Sequence, residues 1–233
     1  MPAVPAQPAK SPFDAAYYAR FYGNPRTRVQ GPVEVARLCR GIVETARWWS
    51  IPLASVVEIG AGTGLARDWF SRRKPDVRFV STDVSAHACK AYGHRRLDIG
   101  KARVRGRFDL VICQGVLPYL DDGAADRALG HLGEMADGLL YLECQTDRDI
   151  ACVVDHSVSD GALRGRAAAF YLDRLEAHFV MLGAGLWVAR RARVPLYELE
   201  SGSLIRAPRS NSKPREASLT VDRQSEAILT RIA

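Results

Sequence analysis

Three glycines, Gly60, Gly62 and Gly64, alternate with small residues directly after an apolar run whose one charged member is Glu58. Such a turn favours glycine because a side chain would oppose positive φ angles and keep the backbone away from a ligand. A dinucleotide-binding turn has the spacing Gly-x-Gly-x-x-Gly and would need glycine where this chain has Leu65. The spacing found, acid-x-Gly-x-Gly-x-Gly, predicts a strand, a nucleotide-binding turn and the start of a helix.

Acidic residues follow this turn at intervals that suit a nucleoside. The run 77–82 reads as a second strand and leads into Asp83, 19 residues after Gly64. An acid at the carboxyl end of the next strand is placed to accept hydrogen bonds from ribose hydroxyls. Asp98 follows, and then the apolar run 108–114, which begins Phe-Asp. Each acid also has a local interpretation, Asp83 as an acid favoured by a helix dipole and Asp98 as a turn residue.

Taken in order, these four elements resemble the motifs of the class I (Rossmann-like) S-adenosylmethionine-dependent methyltransferases of the small-molecule type. The resemblance implies S-adenosylmethionine as the cofactor, with Asp83 at the ribose, Asp98 at the adenine amino group and Ile99 against the adenine ring. It places Glu58 near the methionine end, although an acid in a buried strand can equally be held by backbone amides. The implied cofactor site comprises Glu58, Gly60, Ala61, Gly62, Gly64, Asp83, Val84, Asp98, Ile99, Gln114 and Gly115.

Candidates for catalysis follow from the chemistry of a sulfonium. Its methyl group is already activated, so the enzyme must mainly align the acceptor and exclude water, and a base helps only where the acceptor loses a proton. His156 is the candidate base because its intrinsic pKa is near neutrality, and an ordinary surface histidine is the alternative. Tyr119 and Tyr18 are further candidates; Tyr18, with Tyr17 and Tyr22, either covers the substrate as a lid or anchors the amino-terminal helix.

Periodic apolar residues predict the helices and strands that position these groups. Apolar residues at three- and four-residue steps after Gly31-Pro32 indicate an amphipathic helix. Ser85 is expected to cap a helix that ends near Gly93, and Asp121 or Asp122 to cap another. Strands and helices alternate as far as a fifth strand at 138–144, which implies a parallel sheet covered on both faces.

The last third of the chain departs from this alternation. After the polar segment 145–161, a helix is predicted, followed by two apolar runs at 179–182 and 185–189 that are separated only by Gly183-Ala184. So short a join suits an antiparallel hairpin. The predicted fold is α/β, a doubly wound, mainly parallel seven-stranded sheet with helices on both faces and a C-terminal antiparallel hairpin. The predicted helix has an apolar side of Leu163, Ala167, Phe170, Tyr171, Leu175 and His178.

Composition divides the chain into three parts. We expect a disordered N-terminus at 1–10, rich in proline and alanine, and a methyltransferase domain at 11–205 with an N-terminal helical cap at 11–50. A basic mobile tail is expected at 206–233, with a short helix over Ser218 to Ile232 as an alternative for part of it.

The net charge of +7 raises the question of a nucleic-acid partner. The tail carries +3 of this charge, and the basic clusters at 103–107 and 190–193 are not interleaved with aromatic residues. We therefore expect a small-molecule acceptor and no nucleic-acid partner, and the oligomeric state is left open. An RNA or protein methyltransferase, and a non-catalytic scaffold subunit that binds S-adenosylmethionine, are the alternatives; Leu65 and the hairpin disfavour a dehydrogenase.

The sequence offers no signal for a membrane or a metal. No apolar run approaches the roughly 18 to 20 residues that cross a bilayer, and the start at Met1 lacks the features of a secretory signal, so the expected location is the cytoplasm. The five cysteines show no paired short spacing, so neither disulfides nor a metal site are expected.

Overall fold

The computed structural model describes residues 13–25, 28–156, 159 and 161–202. The predicted disordered start at 1–10 and the predicted tail at 206–233, with its alternative terminal helix, lie outside the described residues.

A seven-stranded sheet runs through the described part of the chain, with strand order 3-2-1-4-5-7-6. The first five strands pair parallel with one another. The seventh strand pairs antiparallel with both the fifth and the sixth. This confirms the predicted fold class. The strands are β1 Ser55–Ile59, β2 Arg78–Asp83, β3 Arg95–Arg96, β4 Phe108–Gln114, β5 Ala136–Glu143, β6 Phe179–Gly183 and β7 Leu186–Ala189.

Helices cover both faces of this sheet because successive strand residues point to opposite sides. Val57 and Val111 pack on one side among residues of the later helices, and Val56 and Leu110 pack on the other side among residues of the earlier ones. The helices are α1 Ala15–Tyr18, followed by a π-helical turn Ala19–Gly23, then α2 Pro32–Trp48, α3 Leu65–Arg73, α4 Ala86–Tyr92, α5 Asp122–Met135, α6 Asp147–Cys152 and α7 Ala168–Leu175, with 3-10 turns at Leu117–Tyr119, Arg190–Ala192 and Glu198–Glu200.

The predicted helix ends have the expected chemistry. The Ser85 hydroxyl oxygen accepts a hydrogen bond from the Ala88 N–H at 3.1 Å, and α4 ends at Gly93 in the left-handed conformation. Of the two aspartates considered for α5, Asp121 is the cap, since its carboxylate accepts a hydrogen bond from the Ala124 N–H at 2.7 Å.

The helix predicted to include Leu163 begins only with α7, so the prediction was wrong at its amino-terminal end. The residues before α7 pair with distant segments instead. The Arg164 N–H donates to the Pro118 carbonyl at 2.8 Å, and the buried Arg166 side chain forms an ion pair with Asp122 at 2.8 Å. These non-local bonds hold the segment in an extended path that local periodicity does not reveal.

The hairpin is present one residue further along than predicted. Strand β6 continues to Gly183, and the join consists of Ala184 and Gly185, whose φ angles are 50° and 77°. Positive φ at both central residues suits the twist of a two-residue hairpin. Among the described helices, none combines the length and the apolar character needed to span a bilayer.

Candidate active site

The glycine turn after β1 has the geometry that its sequence predicts. Gly60, Gly62 and Gly64 have φ angles of 72°, 57° and 79°, which side chains disfavour. A Cβ atom on Gly60 would lie 2.3 Å from the Val116 side chain, and one on Gly62 would meet the Tyr22 ring at 3.6 Å. The turn therefore requires glycine for its conformation and presents bare backbone to the space above the sheet.

Asp83 links this turn to the end of β2. Its Oδ2 accepts a hydrogen bond from the Gly62 N–H at 2.9 Å, and its Oδ1 accepts one from the Ser85 N–H at 2.7 Å. The Tyr18 hydroxyl also donates to Oδ2, at 3.5 Å. Asp83 is 5% exposed. The Tyr18 hydroxyl contacts its carboxylate at the place where a ribose is predicted to bind.

A pocket opens at the carboxyl ends of β1, β4 and β5. Its described lining includes backbone of the glycine turn, side chains of the amino-terminal segment and residues of α2. The residues predicted for the cofactor or catalysis that line it are Glu58, Gly60, Ala61, Gly62, Gln114, Gly115 and Tyr119.

The remaining predicted cofactor residues lie outside this lining. Asp98 holds its own turn, because its Oδ1 accepts a hydrogen bond from the Gly100 N–H at 3.1 Å and its other oxygen pairs with Lys101 at 3.0 Å. Ile99 is buried in the hydrophobic core, whereas Val84 is exposed. Gly64 has its left-handed conformation at the start of α3.

Two of the candidate catalytic residues also lie outside the pocket lining. Tyr18 is buried against Asp83, and burial raises the pKa of its phenol, so the hydroxyl stays protonated. His156 is exposed beyond α6. Tyr119 alone of the three lines the pocket.

The amino-terminal segment 13–23 packs over the site through aromatic contacts. The Phe13 ring meets Tyr17 and Tyr119 edge to face at 5.1 and 5.0 Å, and the hydroxyls of Tyr17 and Tyr119 lie 3.1 Å apart. The Ser85 hydroxyl donates to the Phe13 carbonyl at 2.6 Å. These contacts anchor the segment, which is one of the two roles that the sequence left as alternatives for its tyrosines; the lid over the substrate stays a prediction.

Glu58 is the most electrostatically unusual residue of the pocket. Its side chain is 8% exposed, and its Oε2 has no hydrogen-bond partner among the described residues. Burial, together with the nearby Asp83 and Asp68, raises the pKa of this carboxyl to about 8 against the lowering effect of Arg67. The pocket therefore contains a buried acid, one oxygen of which has no hydrogen-bond partner among the described residues.

Two residues that the sequence analysis did not identify support the site. Glu143 lines the pocket, and its Oε2 accepts hydrogen bonds from the Gln114 side chain at 2.9 Å and the Tyr141 hydroxyl at 3.2 Å. The position of Glu143 at the end of the predicted fifth strand, next to the fourth, was the available signal.

The second residue, His94, lies behind the glycine turn. Its Nε2 is 3.0 Å from the Gly62 carbonyl oxygen and its Nδ1 is 2.9 Å from the Ser81 hydroxyl. Since a carbonyl only accepts, Nε2 carries the proton, and burial lowers the pKa of His94, which favours the neutral ring. His94 thus fixes the orientation of the Gly62 peptide, a role for which the sequence has no local signal.

Comparison with known proteins identifies the class to which the fold belongs. No protein-family model and no curated protein matches the sequence. Among solved structures, the fold is similar to that of the sugar N-methyltransferase KedS8 from Streptoalloteichus sp., at a TM-score of 0.55 and 16% identity, covering 81% of this chain and 98% of that one. It is also similar to CalS10, an amino pentose methyltransferase from Micromonospora echinaspora with bound S-adenosylmethionine, at a TM-score of 0.51 and 16% identity, covering 70% and 93%.

A third similar structure is DesVI from Streptomyces venezuelae, at a TM-score of 0.51 and 14% identity, covering 67% of this chain and 91% of that one. The chain therefore has the fold of the class I S-adenosylmethionine-dependent methyltransferases. Within the described residues, no cluster of three or more histidine, cysteine or acidic side chains could hold a metal ion.

Proposed function

We propose that this protein is an S-adenosylmethionine-dependent methyltransferase that acts on a small-molecule acceptor. The observation that carries the proposal is the meeting, in one pocket, of a glycine turn with left-handed φ angles and the buried Glu58 carboxyl group, whose Oε2 has no hydrogen-bond partner among the described residues. S-adenosylmethionine fits both features, since its amino acid part carries an ammonium that complements Glu58, and the bare backbone of the glycine turn lets a nucleoside approach closely.

Each part of the site has a task in this proposal. Glu58 accepts a hydrogen bond from the cofactor's ammonium, and Asp83 accepts hydrogen bonds from the ribose hydroxyls once the Tyr18 hydroxyl moves aside. The assignment of Asp98 and Ile99 to the adenine stays a prediction of the resemblance, since neither residue lines the pocket. S-adenosylmethionine supplies a methyl group that its sulfonium has already activated.

The protein's own contribution to the reaction is alignment and the exclusion of water. The aromatic side chains of segment 13–23 and Tyr119 close the pocket over the carboxyl ends of the strands. The similarity of the fold to proteins described as sugar N-methyltransferase and amino pentose methyltransferase supports a small acceptor. His156 stays a prediction as a base; it is exposed and is not among the described residues that line the pocket.

Calorimetry tests the proposal with S-adenosylmethionine, S-adenosylhomocysteine and NAD as ligands. We expect the first two to bind and NAD not to bind. The Asp83→Asn variant should lose at least about tenfold in affinity for S-adenosylhomocysteine, because charge-assisted hydrogen bonds contribute roughly 1.5 to 3 kcal/mol each. The matched control is Asp173→Asn, which changes an exposed aspartate of α7. Absence of binding by the wild type contradicts the proposed function, and equal affinity of Asp83→Asn and wild type contradicts the ribose assignment.

A further inference from the structure

The ionisable side chains that line the pocket include acids but no base among the described residues. Glu58 and Glu143 line it, and no described lysine, arginine or histidine does. Both side chains belong to the face of the sheet that packs against α2 and α3, since Glu58 is two residues after Val56, and Glu143 is two residues after Tyr141. The pocket is therefore suited to a positively charged guest and unsuited to an anionic one.

Aromatic rings surround the same space. Tyr17, Phe21, Tyr22 and Tyr119 all line the pocket. Burial, followed by the neighbouring Tyr17 and Asp83, raises the pKa of Tyr22, so its hydroxyl stays a neutral donor. Aromatic faces attract cationic groups, and a desolvated ammonium gains most from them.

The cofactor has a single ammonium, which binds Glu58 in the proposed function and leaves Glu143 without a counterpart. Glu58 is in register with Ile112 of β4, and Ile112 is in register with Tyr141 of β5, so two strand spacings of about 4.8 Å each separate Glu58 from the β5 backbone. Glu143 lies a further two residues along β5 and is held there by Gln114 and Tyr141. Both of these hydrogen bonds reach Oε2, so neither of them occupies Oε1.

We propose, on the basis of the proposed function, that the methyl acceptor is an amine and that Glu143 binds its nitrogen. In this arrangement Glu58 serves the cofactor, Glu143 serves the acceptor, and the tyrosine and phenylalanine rings pack against the carbon skeleton next to the nitrogen. Tyr141 and Gln114 are positioning residues that hold the Glu143 carboxylate toward the pocket.

The transfer step balances with the acceptor nitrogen, S-adenosylmethionine, Glu143 and water. An acceptor that enters as an ammonium first releases one proton to the Glu143 carboxylate, which passes it to water. The nitrogen lone pair then forms the bond to the methyl carbon, and the carbon–sulfur bond breaks with its electron pair remaining on sulfur. The methylated nitrogen carries a positive charge and gives up a second proton by the same route.

A matched series of ligands tests this proposal through binding rather than turnover. Cyclohexylamine, cyclohexanol and cyclohexanecarboxylate share one ring and differ in a single group, and their affinities are measured by calorimetry on the protein saturated with S-adenosylhomocysteine. We expect the amine to bind at least about tenfold more tightly than the alcohol, and the carboxylate to bind most weakly. In Glu143→Gln the preference for the amine should fall to within about twofold of the alcohol, while the affinity for S-adenosylhomocysteine is retained.

The control variant is Glu44→Gln, which neutralises an exposed carboxylate of α2 that pairs with Arg47 at 2.8 Å. It should keep the full preference for the amine. The proposal is overturned if the amine has no advantage over the alcohol, including the case in which none of the three ligands binds. It is also overturned if Glu143→Gln weakens S-adenosylhomocysteine instead of the amine. Failure of the proposed function gives a different result, namely no binding of S-adenosylhomocysteine to the wild type. The ligand series is therefore also measured on the protein without S-adenosylhomocysteine.

Discussion

Replacing Glu58 with glutamine should remove a pH dependence of stability that one buried carboxyl imposes on the fold. The Glu58 side chain is 8% exposed and has an oxygen without a hydrogen-bond partner among the described residues. Burial raises the pKa of this carboxyl from 4.5 to about 8. In the unfolded chain the group is exposed and ionises at its ordinary pKa.

The sign of the effect follows from proton binding. Between about pH 4.5 and pH 8 the folded protein keeps the Glu58 proton that the unfolded chain releases, so the free energy of unfolding falls as the pH rises through this window. Each pKa unit corresponds to about 1.4 kcal/mol, which gives a loss of about 3 to 4 kcal/mol between pH 5 and pH 8. Glutamine has no proton to lose, and its amide preserves the shape of the side chain.

Urea unfolding followed by tryptophan fluorescence measures this difference at a series of pH values. The free energy of unfolding of Glu58→Gln minus that of wild type should increase by about 3 kcal/mol from pH 5 to pH 8. Other titrating groups cancel in this difference. The exposed control Glu44→Gln should differ from wild type by a constant amount, within about 0.5 kcal/mol. A flat difference for Glu58→Gln would refute the account of Glu58 as a desolvated acid.

Two further substitutions test a contact that stabilises the sheet and a residue that supports the glycine turn. Asp109→Ala removes a carboxylate oxygen that accepts three hydrogen bonds from Ala54 and Ser55 at 2.8 to 2.9 Å, so unfolding should become easier by about 2 to 3 kcal/mol with S-adenosylhomocysteine affinity unchanged. A urea-unfolding loss below about 1 kcal/mol would contradict this. His94→Phe leaves the Gly62 carbonyl without its ring donor and should weaken S-adenosylhomocysteine by about fivefold or more in calorimetry. Affinity within twofold of wild type would show that His94 does not hold the turn.

The elements of the fold were predictable where the determining interactions are local. The glycine turn, the Ser85 cap and the Gly93 end of α4 follow from residue types that satisfy backbone groups within a few positions. The hairpin was predictable because a two-residue join permits few alternatives. Its one-residue shift reflects the glycines on both sides of Ala184, since either of them accepts the positive φ of the turn.

Local patterns failed where distant segments meet. Strand β3 is only two residues long, and helix α6, which begins with Thr146 as its cap, was not predicted within the polar segment. The start of α6 is tied to Arg166, since the Asp147 N–H donates to the Arg166 carbonyl at 2.9 Å. The same contact keeps the residues before α7 out of a helix, and no periodicity within either segment encodes it.

The candidate site was predictable only in part for the same reason. Glu58, Gly60 and Gly62 lie in one motif, so their presence in the pocket follows from the sequence of a single turn. Glu143 lines the same pocket because β5 lies beside β4. His94 contacts the glycine turn because the chain after α4 passes behind it. Both depend on the order of the strands rather than on spacing along the chain.

The structure of the protein crystallised with S-adenosylhomocysteine tests the central claim most directly. The account predicts the amino acid part of the ligand at the glycine turn with its ammonium within hydrogen-bond distance of Glu58, the ribose hydroxyls on Asp83, and the Tyr18 hydroxyl displaced from that carboxylate. A ligand bound elsewhere, or a pocket that stays closed by Tyr18 and Tyr22 at saturating concentration, would contradict it.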